Sequence, residues 1–350
     1  MIPLLLAAAL AAGSARAQDP AGAPDSTSLT PAKTYGILIL AYDVDVKWRQ
    51  ELANLSRQLK GHPVETVDSA ADSISVQRAV DRLLAGRVNK IVAVPLETVS
   101  ESARLDMTRY MFGIRPEPVL DIPDRGSGDA ADAPARTLKP IRKSLLVLPN
   151  DQSRGLGMTM GGDASTLRHI KSPVPLVLAR ALDKSPLLVA ILADRAKALS
   201  PTPKRESLVL AGVGPRSDKA LKNWLIAAQA IADQVGAKAG YRKAVAVAVR
   251  DGVRSGQQDK DRADLKTALR GLIREGRVAV VPLSPEADRV GDLLKKGTGG
   301  FLAYRWNGQG VQGDRRLLDW IKASAEEAAA LPDGRQFKNA APGAAHGGLR

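Results

Sequence analysis

Short, uninterrupted apolar runs recur along the chain, and each is followed by an amphipathic stretch. The first run, Tyr35-Gly-Ile-Leu-Ile-Leu-Ala41, is typical of a strand that is buried on both faces of a parallel sheet. The residues after it place apolar side chains on one helical face: Trp48, Leu52, Leu55 and Leu59. This alternation predicts βαβ units, whose ligands are expected at the carboxyl ends of the strands.

The same alternation of apolar runs and amphipathic stretches recurs in the second half of the chain. Ser207-Leu-Val-Leu-Ala-Gly212 and residues 243–249 are further apolar runs, and Arg277-Val-Ala-Val-Val-Pro-Leu283 echoes Lys90-Ile-Val-Ala-Val-Pro-Leu96. A similarity of this size indicates an internal repeat of domain length. We therefore predict an α/β fold with two similar three-layer lobes, each built on a small parallel sheet, at residues 34–200 and 201–331.

Other elements follow from local signals. Asp72 and Ser73 are suited to cap a helix, and Pro186 stands where the first turn of a helix favours proline. The pattern predicts a strand at 64–67, helices at 186–199, from 218, at 263–275 and at 316–330, and a last strand at 301–304.

The two ends of the chain differ from the predicted lobes. Residues 1–17 combine an apolar run from Ile2 to Ala12 with Ala15-Arg16-Ala17, which is the pattern of a signal peptide with its cleavage site. The sequence thus predicts an exported protein, periplasmic or extracellular, with no transmembrane span after cleavage. Residues 18–33 are expected to be a flexible leader, and residues 332–350 a disordered tail.

Composition limits the chemistry. The formal charge is +14, but there are only 4 Trp, 5 Tyr and 3 Phe to stack on bases, so an anionic small molecule or surface is a better expectation than nucleic acid. The absence of cysteine excludes disulfides, thiolate metal sites and a cysteine nucleophile. Any metal must be held by the three histidines, by carboxylates or by carbonyl groups.

Several segments, in order, resemble one known family. They are Asp45-Val-Lys-Trp48, Ser73-Ile74, Ile91-Val-Ala-Val-Pro-Leu96, Arg109-Tyr-Met-Phe-Gly-Ile-Arg-Pro116, Ala181-Leu-Asp-Lys-Ser-Pro-Leu187, Ile191-Leu-Ala-Asp-Arg-Ala196, Gly214-Pro-Arg-Ser-Asp218 and Trp224-Leu225. Together they are similar to the long, two-lobed form of the sirohydrochlorin cobaltochelatase and ferrochelatase-like family, the class II chelatases of cobalamin and siroheme synthesis. The resemblance implies a duplicated, chelatase-like fold with a cleft between the lobes for a tetrapyrrole.

The resemblance also implies a metal site that this chain lacks. Active members hold cobalt, iron or nickel with histidines after the first strand and after the Val-Pro-Leu strand of a lobe. Here those positions fall on Ala41, or on Tyr42 with a slip of one residue, and on Ala103, Val213 and Val290. Alanine and valine cannot ligate a metal.

Carboxylates near the expected strand ends are the candidate replacements. Asp43, Asp45, Glu97 and Glu101 supply oxygen atoms of the type that hard cations accept. Glu286 and Asp288 are their counterparts in the second half. The alternative interpretation of all six is that they are solvated loop acids.

Two further patterns remain open. His169 follows a stretch with Met158 and Met160, a combination that suits copper, although a lone histidine in a loop is usually incidental; His62 and His346 are expected to be incidental as well. Basic side chains are candidates for a rim that pairs with ligand carboxylates, or for a solvated surface: Arg104, Arg109, Arg115, Arg136, Lys139, Arg142 and Lys143.

Three hypotheses follow. The first is an exported, degenerate chelatase that binds a tetrapyrrole or a metal complex in the cleft between the lobes. The second is an active chelatase that uses carboxylates as ligands for a divalent metal. The third is a structural or interaction module without a small ligand, in which side chains fill the cleft.

Overall fold

Two separate four-stranded sheets, both fully parallel, form the framework. The computed structural model describes residues 34–42, 44, 46–119, 167–253, 255–300 and 303–337, and all of them belong to one compact unit. The first sheet, in the order β2-β1-β3-β4, contains β1 (Tyr35–Leu40), β2 (Val64–Val67), β3 (Lys90–Pro95) and β4 (Leu176–Leu178). The second, in the order β6-β5-β7-β8, contains β5 (Ser207–Val213), β6 (Lys243–Val249), β7 (Val278–Pro282) and β8 (Arg305–Trp306). The predicted α/β fold with two similar lobes is confirmed.

Helices connect the strands and cover both faces of each sheet. They are α1 (Val46–Gln58), α2 (Ser73–Ala85), α3 (Ala103–Met111), α4 (Pro186–Leu199), α5 (Asp218–Ala239), α6 (Ser255–Glu275), α7 (Ala287–Thr298) and α8 (Arg316–Ala329). The predicted cap is present at α2, because the Asp72 carboxylate accepts hydrogen bonds from the backbone N–H groups of Ile74 and Ser75 at 3.1 and 3.0 Å. Such a cap satisfies backbone donors that have no partner inside the helix.

The strands are apolar throughout because each sheet is buried on both faces. In β1, Ile37 and Ile39 face a core that the two lobes share, whereas Leu38 and Leu40 face a second core beneath α2. The second sheet has its own outer core beneath α6 and α7. Successive side chains of a strand point to opposite faces, so a continuous apolar run is what a doubly covered strand requires.

The central layer exchanges helices between the lobes. Helix α4 follows the first sheet in the chain but packs on β7 and α5, while α8 follows the second sheet but packs on β3. Lys90, at the start of β3, donates hydrogen bonds to the carbonyl groups of Ala329 and Leu331 at 2.7 and 2.8 Å. A boundary after residue 200 therefore separates the two sheets, but the hydrophobic core continues across it.

Two local predictions are corrected. The last strand is Arg305–Trp306, whose register is set by pairing with Ala279 and Val280 of β7; residues 303–304 of the strand predicted at 301–304 precede it, and residues 301–302 lie outside the described residues. Helix α6 begins eight residues before Ala263, in a polar stretch without apolar periodicity.

The predicted disordered tail is wrong for its first residues. Gly334 donates its backbone N–H to the carbonyl of Leu176 at 3.1 Å, and Arg335 donates to the carbonyls of Ser172 and Val174 at 2.7 and 2.8 Å. Residues 334–337 are thus held at the start of β4 and against Gly113, and those from 338 onward lie outside the described residues. The predicted signal peptide and leader, residues 1–33, lie outside them too. Across the described ranges, no helix is both long and apolar enough to cross a membrane.

Candidate functional site

The carboxyl ends of the two sheets meet between the lobes. Arg104, in the first turn of α3, forms an ion pair with Glu286, which immediately precedes α7 in the other lobe. At a second point, the Glu51 carboxylate of α1 accepts the backbone N–H of Gly313 at 3.0 Å. Side chains of both lobes therefore meet where the family resemblance implies a cleft.

The loop between β3 and α3 holds the first half of this bridge. Ser102 caps α3 by accepting the backbone N–H of Leu105 at 3.1 Å. Ser100 is fixed twice by Asp183, through its hydroxyl at 2.6 Å and its backbone N–H at 3.0 Å. These contacts fix the loop in place, so Glu97 within it has a defined position.

Glu97 is a buried carboxyl group in this loop, with 6% of its surface exposed. Its pKa is raised to about 7, mainly by burial and also by nearby Glu286, while Arg104 and hydrogen bonds to the carboxylate oppose this rise. Its carboxylate accepts the backbone N–H of Thr98 at 3.0 Å. Glu97 is thus poised between its neutral and charged forms near neutral pH.

Arg104 acts electrostatically on Glu97 and also lies over the aromatic ring of Tyr42. Its guanidinium lies 5.9 Å from the centre of the Tyr42 ring, a distance at which a cation is attracted to an aromatic face. The Tyr42 hydroxyl shares a hydrogen bond of 2.8 Å with the hydroxyl of Thr108. Burial raises the pKa of Tyr42 well above its usual range, so this side chain stays neutral.

Glu286 is only 4% exposed and pairs with Arg104 through Oε1. Its other carboxylate oxygen, Oε2, is buried and has no hydrogen-bond partner. Leaving a buried charged acceptor unsatisfied is costly.

A cavity of about 310 Å³ opens next to Glu286, at the carboxyl end of the second sheet. Its lining carries four carboxylates and two basic groups: Asp251, Glu286, Asp288, Arg289, Asp292, Leu293 and Lys296. Arg289 is already paired with both oxygens of Asp251, at 2.9 and 3.0 Å. The side chains left to meet a ligand are therefore mainly acidic.

The four positions where the family resemblance predicts histidine carry apolar side chains, and three of these are buried. Ala41, Ala103 and Val290 are at most 5% exposed and pack in the interior, and Val213 ends β5. Helix α7 begins at Ala287, so the residue that stands where Ala103 stands in α3 is Ala287 rather than Val290. This residue is apolar too.

The predicted carboxylate ligands do not form a set within the described residues. Asp43 and Asp45 lie outside them, and Glu101 is exposed while Glu97 is buried. No group of three or more histidine or acidic side chains suited to a metal ion occurs in the parts of the chain that the structure describes.

The members of the predicted basic rim that the structure describes all form ion pairs. Arg109 and Arg115 both contact the Asp106 carboxylate, at 2.7 and 3.0 Å, and Arg104 is paired with Glu286. The remaining members, Arg136, Lys139, Arg142 and Lys143, lie outside the described residues. The rim hypothesis for Arg104 therefore missed its partner, which is 182 residues away in sequence.

The two histidines that the structure describes both pack against tyrosine rings. His62 stacks on Tyr35 with ring centres 4.1 Å apart, and His169 meets the Tyr110 ring edge-on at 4.7 Å. Burial lowers the pKa of His169, whose Nε2 has no hydrogen-bond partner. The copper hypothesis also needs Met158 and Met160, which lie outside the described residues, as does His346.

Sequence reasoning missed most of the cavity. It singled out Glu286 and Asp288 by counting from the strand, but Asp251, Asp292 and Lys296 come from two different elements. The charged face of α7 is what any amphipathic helix carries opposite its buried face, so the sequence held no signal that marks these residues as a site.

No family model and no curated protein matches the sequence. Among solved structures, the chain is similar to SirB from Bacillus subtilis with Fe3+, at 11% identity and a TM-score of 0.46, over 87% of this chain and 98% of that one. The sirohydrochlorin chelatase SirB from Bacillus subtilis subspecies spizizenii in complex with cobalt gives 12% identity and a TM-score of 0.45 over the same shares. A multi-domain protein of Deinococcus radiodurans, described as structurally similar to chelatases, gives 13% and 0.42, over 87% of this chain and 56% of that one.

Proposed function

We propose that the protein binds a compact, positively charged metal complex in the cavity beside Glu286, at the carboxyl end of the second sheet, and does not insert metal into a tetrapyrrole. The observation that carries this proposal is the acidic cavity beside Glu286, whose lining has four carboxylates against two basic groups. A cationic ligand gains favourable electrostatic energy there, whereas the carboxylates of a free tetrapyrrole would be repelled.

The size of the cavity supports a small ligand. Its volume of about 310 Å³ is at the lower end of the range for small-molecule pockets, which is about 300–1,000 Å³. All the residues that line the cavity belong to the second lobe, and Glu286 among them is paired with Arg104 of the first lobe.

The active chelatase with carboxylate ligands receives less support. Burial raises the pKa of Glu97 to about 7, so this carboxyl group is partly protonated at neutral pH and is a poor metal ligand. Glu101 is exposed and does not share its environment. The candidate pair is therefore split between two different surroundings.

Calorimetric titration tests the binding proposal. The probes are hexaamminecobalt(III), cobalt(II) alone and metal-free sirohydrochlorin, each added to the full chain. We expect the cationic complex to bind most tightly. Tighter binding of metal-free sirohydrochlorin would overturn the choice of ligand, and no binding of any probe would favour a structural or interaction module.

A double variant locates the binding in the cavity. Asp288→Asn with Asp292→Asn removes two of its charges, each worth on the order of 1 kcal/mol at contact distance, and we expect the affinity to fall about thirtyfold. Asp264→Asn with Asp319→Asn removes two exposed carboxylates from α6 and α8 and is the matched control. Equal affinities of the two double variants would contradict the assignment.

Metal insertion is tested separately. We expect the rate of cobalt or iron insertion into sirohydrochlorin under anaerobic conditions to equal the spontaneous rate. Turnover well above that rate would contradict the absence of chelatase activity.

We also propose that the chain is exported, on the strength of its apolar run 2–12 and of Ala15-Arg16-Ala17. Mass spectrometry of the protein recovered from the native cell should then find an amino terminus at Gln18. An intact amino terminus on protein that stays in the cytoplasm would contradict export.

A further inference from the structure

A dense group of basic side chains lies at the amino-terminal edge of the second sheet, opposite the carboxyl ends that meet the other lobe. We call it the basic edge. Its members are exposed and lie in or directly beside the loops that lead into β5, β6 and β7, with Lys243 as the first residue of β6 and Arg274 in the last turn of α6: Lys204, Arg205, Arg242, Lys243, Arg274 and Arg277.

These loops are held side by side by backbone hydrogen bonds. The N–H of Arg242 donates to the carbonyls of Pro203 and Glu206, both at 3.2 Å, and the N–H of Ser207 donates to the carbonyl of Arg277 at 2.9 Å. The strand order β6-β5-β7 keeps the three loops next to one another. Neighbouring strands are about 4.8 Å apart, so the basic groups are closer together than the screening length of about 10 Å in dilute salt.

Few acidic groups offset this charge. Glu275 pairs with Arg242 and Lys243 at 3.2 and 3.5 Å, and the buried Glu206 is paired with Arg305. The other four side chains of the basic edge have no acidic partner within the described residues. The basic edge therefore carries a concentrated positive charge, far from the acidic cavity proposed as the ligand site.

We propose that the basic edge docks the protein on an anionic lipid bilayer. Electrostatic attraction to a negatively charged surface grows with each Lys or Arg that faces it. Nucleic acid fits the edge less well, because α5 and α6 end here rather than begin, and helix N-termini are the ends that favour phosphate. The aromatic residue of these loops, Tyr241, is 8% exposed and offers no stacking surface.

Co-sedimentation with vesicles tests the proposal. We expect the full chain to bind vesicles of phosphatidylcholine with phosphatidylglycerol, and to bind much less to phosphatidylcholine alone or at high salt. The variant Arg205→Gln, Arg274→Gln and Arg277→Gln should lower the partition coefficient about a hundredfold, since each basic group contributes about fivefold.

A matched variant separates the edge from the overall charge. Lys47→Gln, Lys219→Gln and Lys222→Gln removes three exposed basic groups at the starts of α1 and α5, and we expect binding close to that of the parent. All chains share the apolar run 2–12, so any contribution of that segment cancels in the comparison. Thermal melts of the variants confirm that each is folded.

Three results would overturn the proposal. They are equal losses of binding in the two triple variants, equal binding to neutral and anionic vesicles, and tighter binding to duplex DNA than to anionic vesicles at the same salt concentration.

Discussion

Arg104 of the first lobe and Glu286 of the second form a largely buried ion pair that connects the carboxyl ends of the two sheets. The exposed fractions of the two side chains are 18% and 4%. Removing one partner of such a pair leaves a charge that is neither solvated nor compensated. This ion pair therefore helps to hold the two lobes together, and it also neutralises one of the carboxylates that line the cavity.

The first prediction concerns this ion pair. Arg104→Gln should lower the free energy of unfolding at pH 7 by about 3 kcal/mol, because Glu286 remains buried without its cation. Adding Glu286→Gln should restore part of the loss, which urea denaturation of both variants measures. Arg49→Gln breaks the exposed pair with Asp68 and should cost less than about 1 kcal/mol. Equal effects at the two pairs would show that burial is not what matters.

The second prediction is a pH dependence caused by Glu97. Burial raises its pKa from 4.5 to about 7, so between these values the folded state binds more protons than the unfolded state, and stability falls as the pH rises. Glu97→Gln removes this penalty and should stabilise the protein relative to the parent above pH 7, by up to about 3 kcal/mol. The gain should disappear below about pH 5.

Thermal melts across this pH range measure the effect. Glu101→Gln makes the same chemical change on an exposed side chain and is the control. A gain from Glu97→Gln that is the same at every pH would show that the carboxyl group does not titrate in this window.

The third prediction concerns the segment after α8. Arg335 is 6% exposed at its side chain and ties this segment to two carbonyl groups before β4. Arg335→Ala should cost about 2–3 kcal/mol, because charge-assisted hydrogen bonds to two carbonyl groups of partly buried residues are lost. The exposed Lys322→Ala on α8 should change the stability by less than about 0.5 kcal/mol. If the two variants lost the same amount of stability, Arg335 would not anchor the segment.

Arg335 also gives the segment an acid-labile contact. It holds the pKa of Asp333 down to about 2, below the usual 3.8, so this contribution to stability is present above pH 4 and is lost as the pH falls towards 2. Protection of residues 332–337 in hydrogen exchange should fall over the same interval.

The fourth prediction compares two glycines. A methyl group on Gly212, near the end of β5, would lie 2.8 Å from the Trp224 ring and 3.1 Å from the Ser284 hydroxyl, so Gly212→Ala should destabilise by about 1–3 kcal/mol. A methyl group on Gly271, inside α6, has nothing within 4 Å, and Gly271→Ala should stabilise by about 1 kcal/mol. Shifts of the same sign in denaturant midpoints would contradict the close packing at Gly212.

The sequence predicted the regular elements well where burial is periodic. Runs such as 35–41 and 207–212 were recognisable as strands because both faces are covered, so every residue is apolar. The missed element β4 is only three residues long and is preceded by two prolines, and the start of α6 is polar all round. Neither gives a periodic signal over enough residues to be detected.

The candidate site was predicted less well. Counting from the strands identified Glu97 and Glu286 as residues near the carboxyl ends, but it grouped Glu97 with Glu101, which the structure leaves exposed. Local spacing gives the distance of a residue from a strand end and not the direction of its side chain. It therefore could not distinguish a buried carboxyl group from a solvated one.

By itself, the sequence determined that the chain forms parallel α/β sheets, and it has apolar residues where the family resemblance predicts histidine, at Ala41, Ala103, Val213 and Val290. Only the tertiary structure decided that α4 and α8 cover each other's lobes and that Arg104 meets Glu286. The physical reason is that apolar periodicity specifies which face of a helix is buried, whereas the neighbour that buries it depends on how the whole chain packs. An ion pair between residues 182 positions apart leaves no local pattern at all.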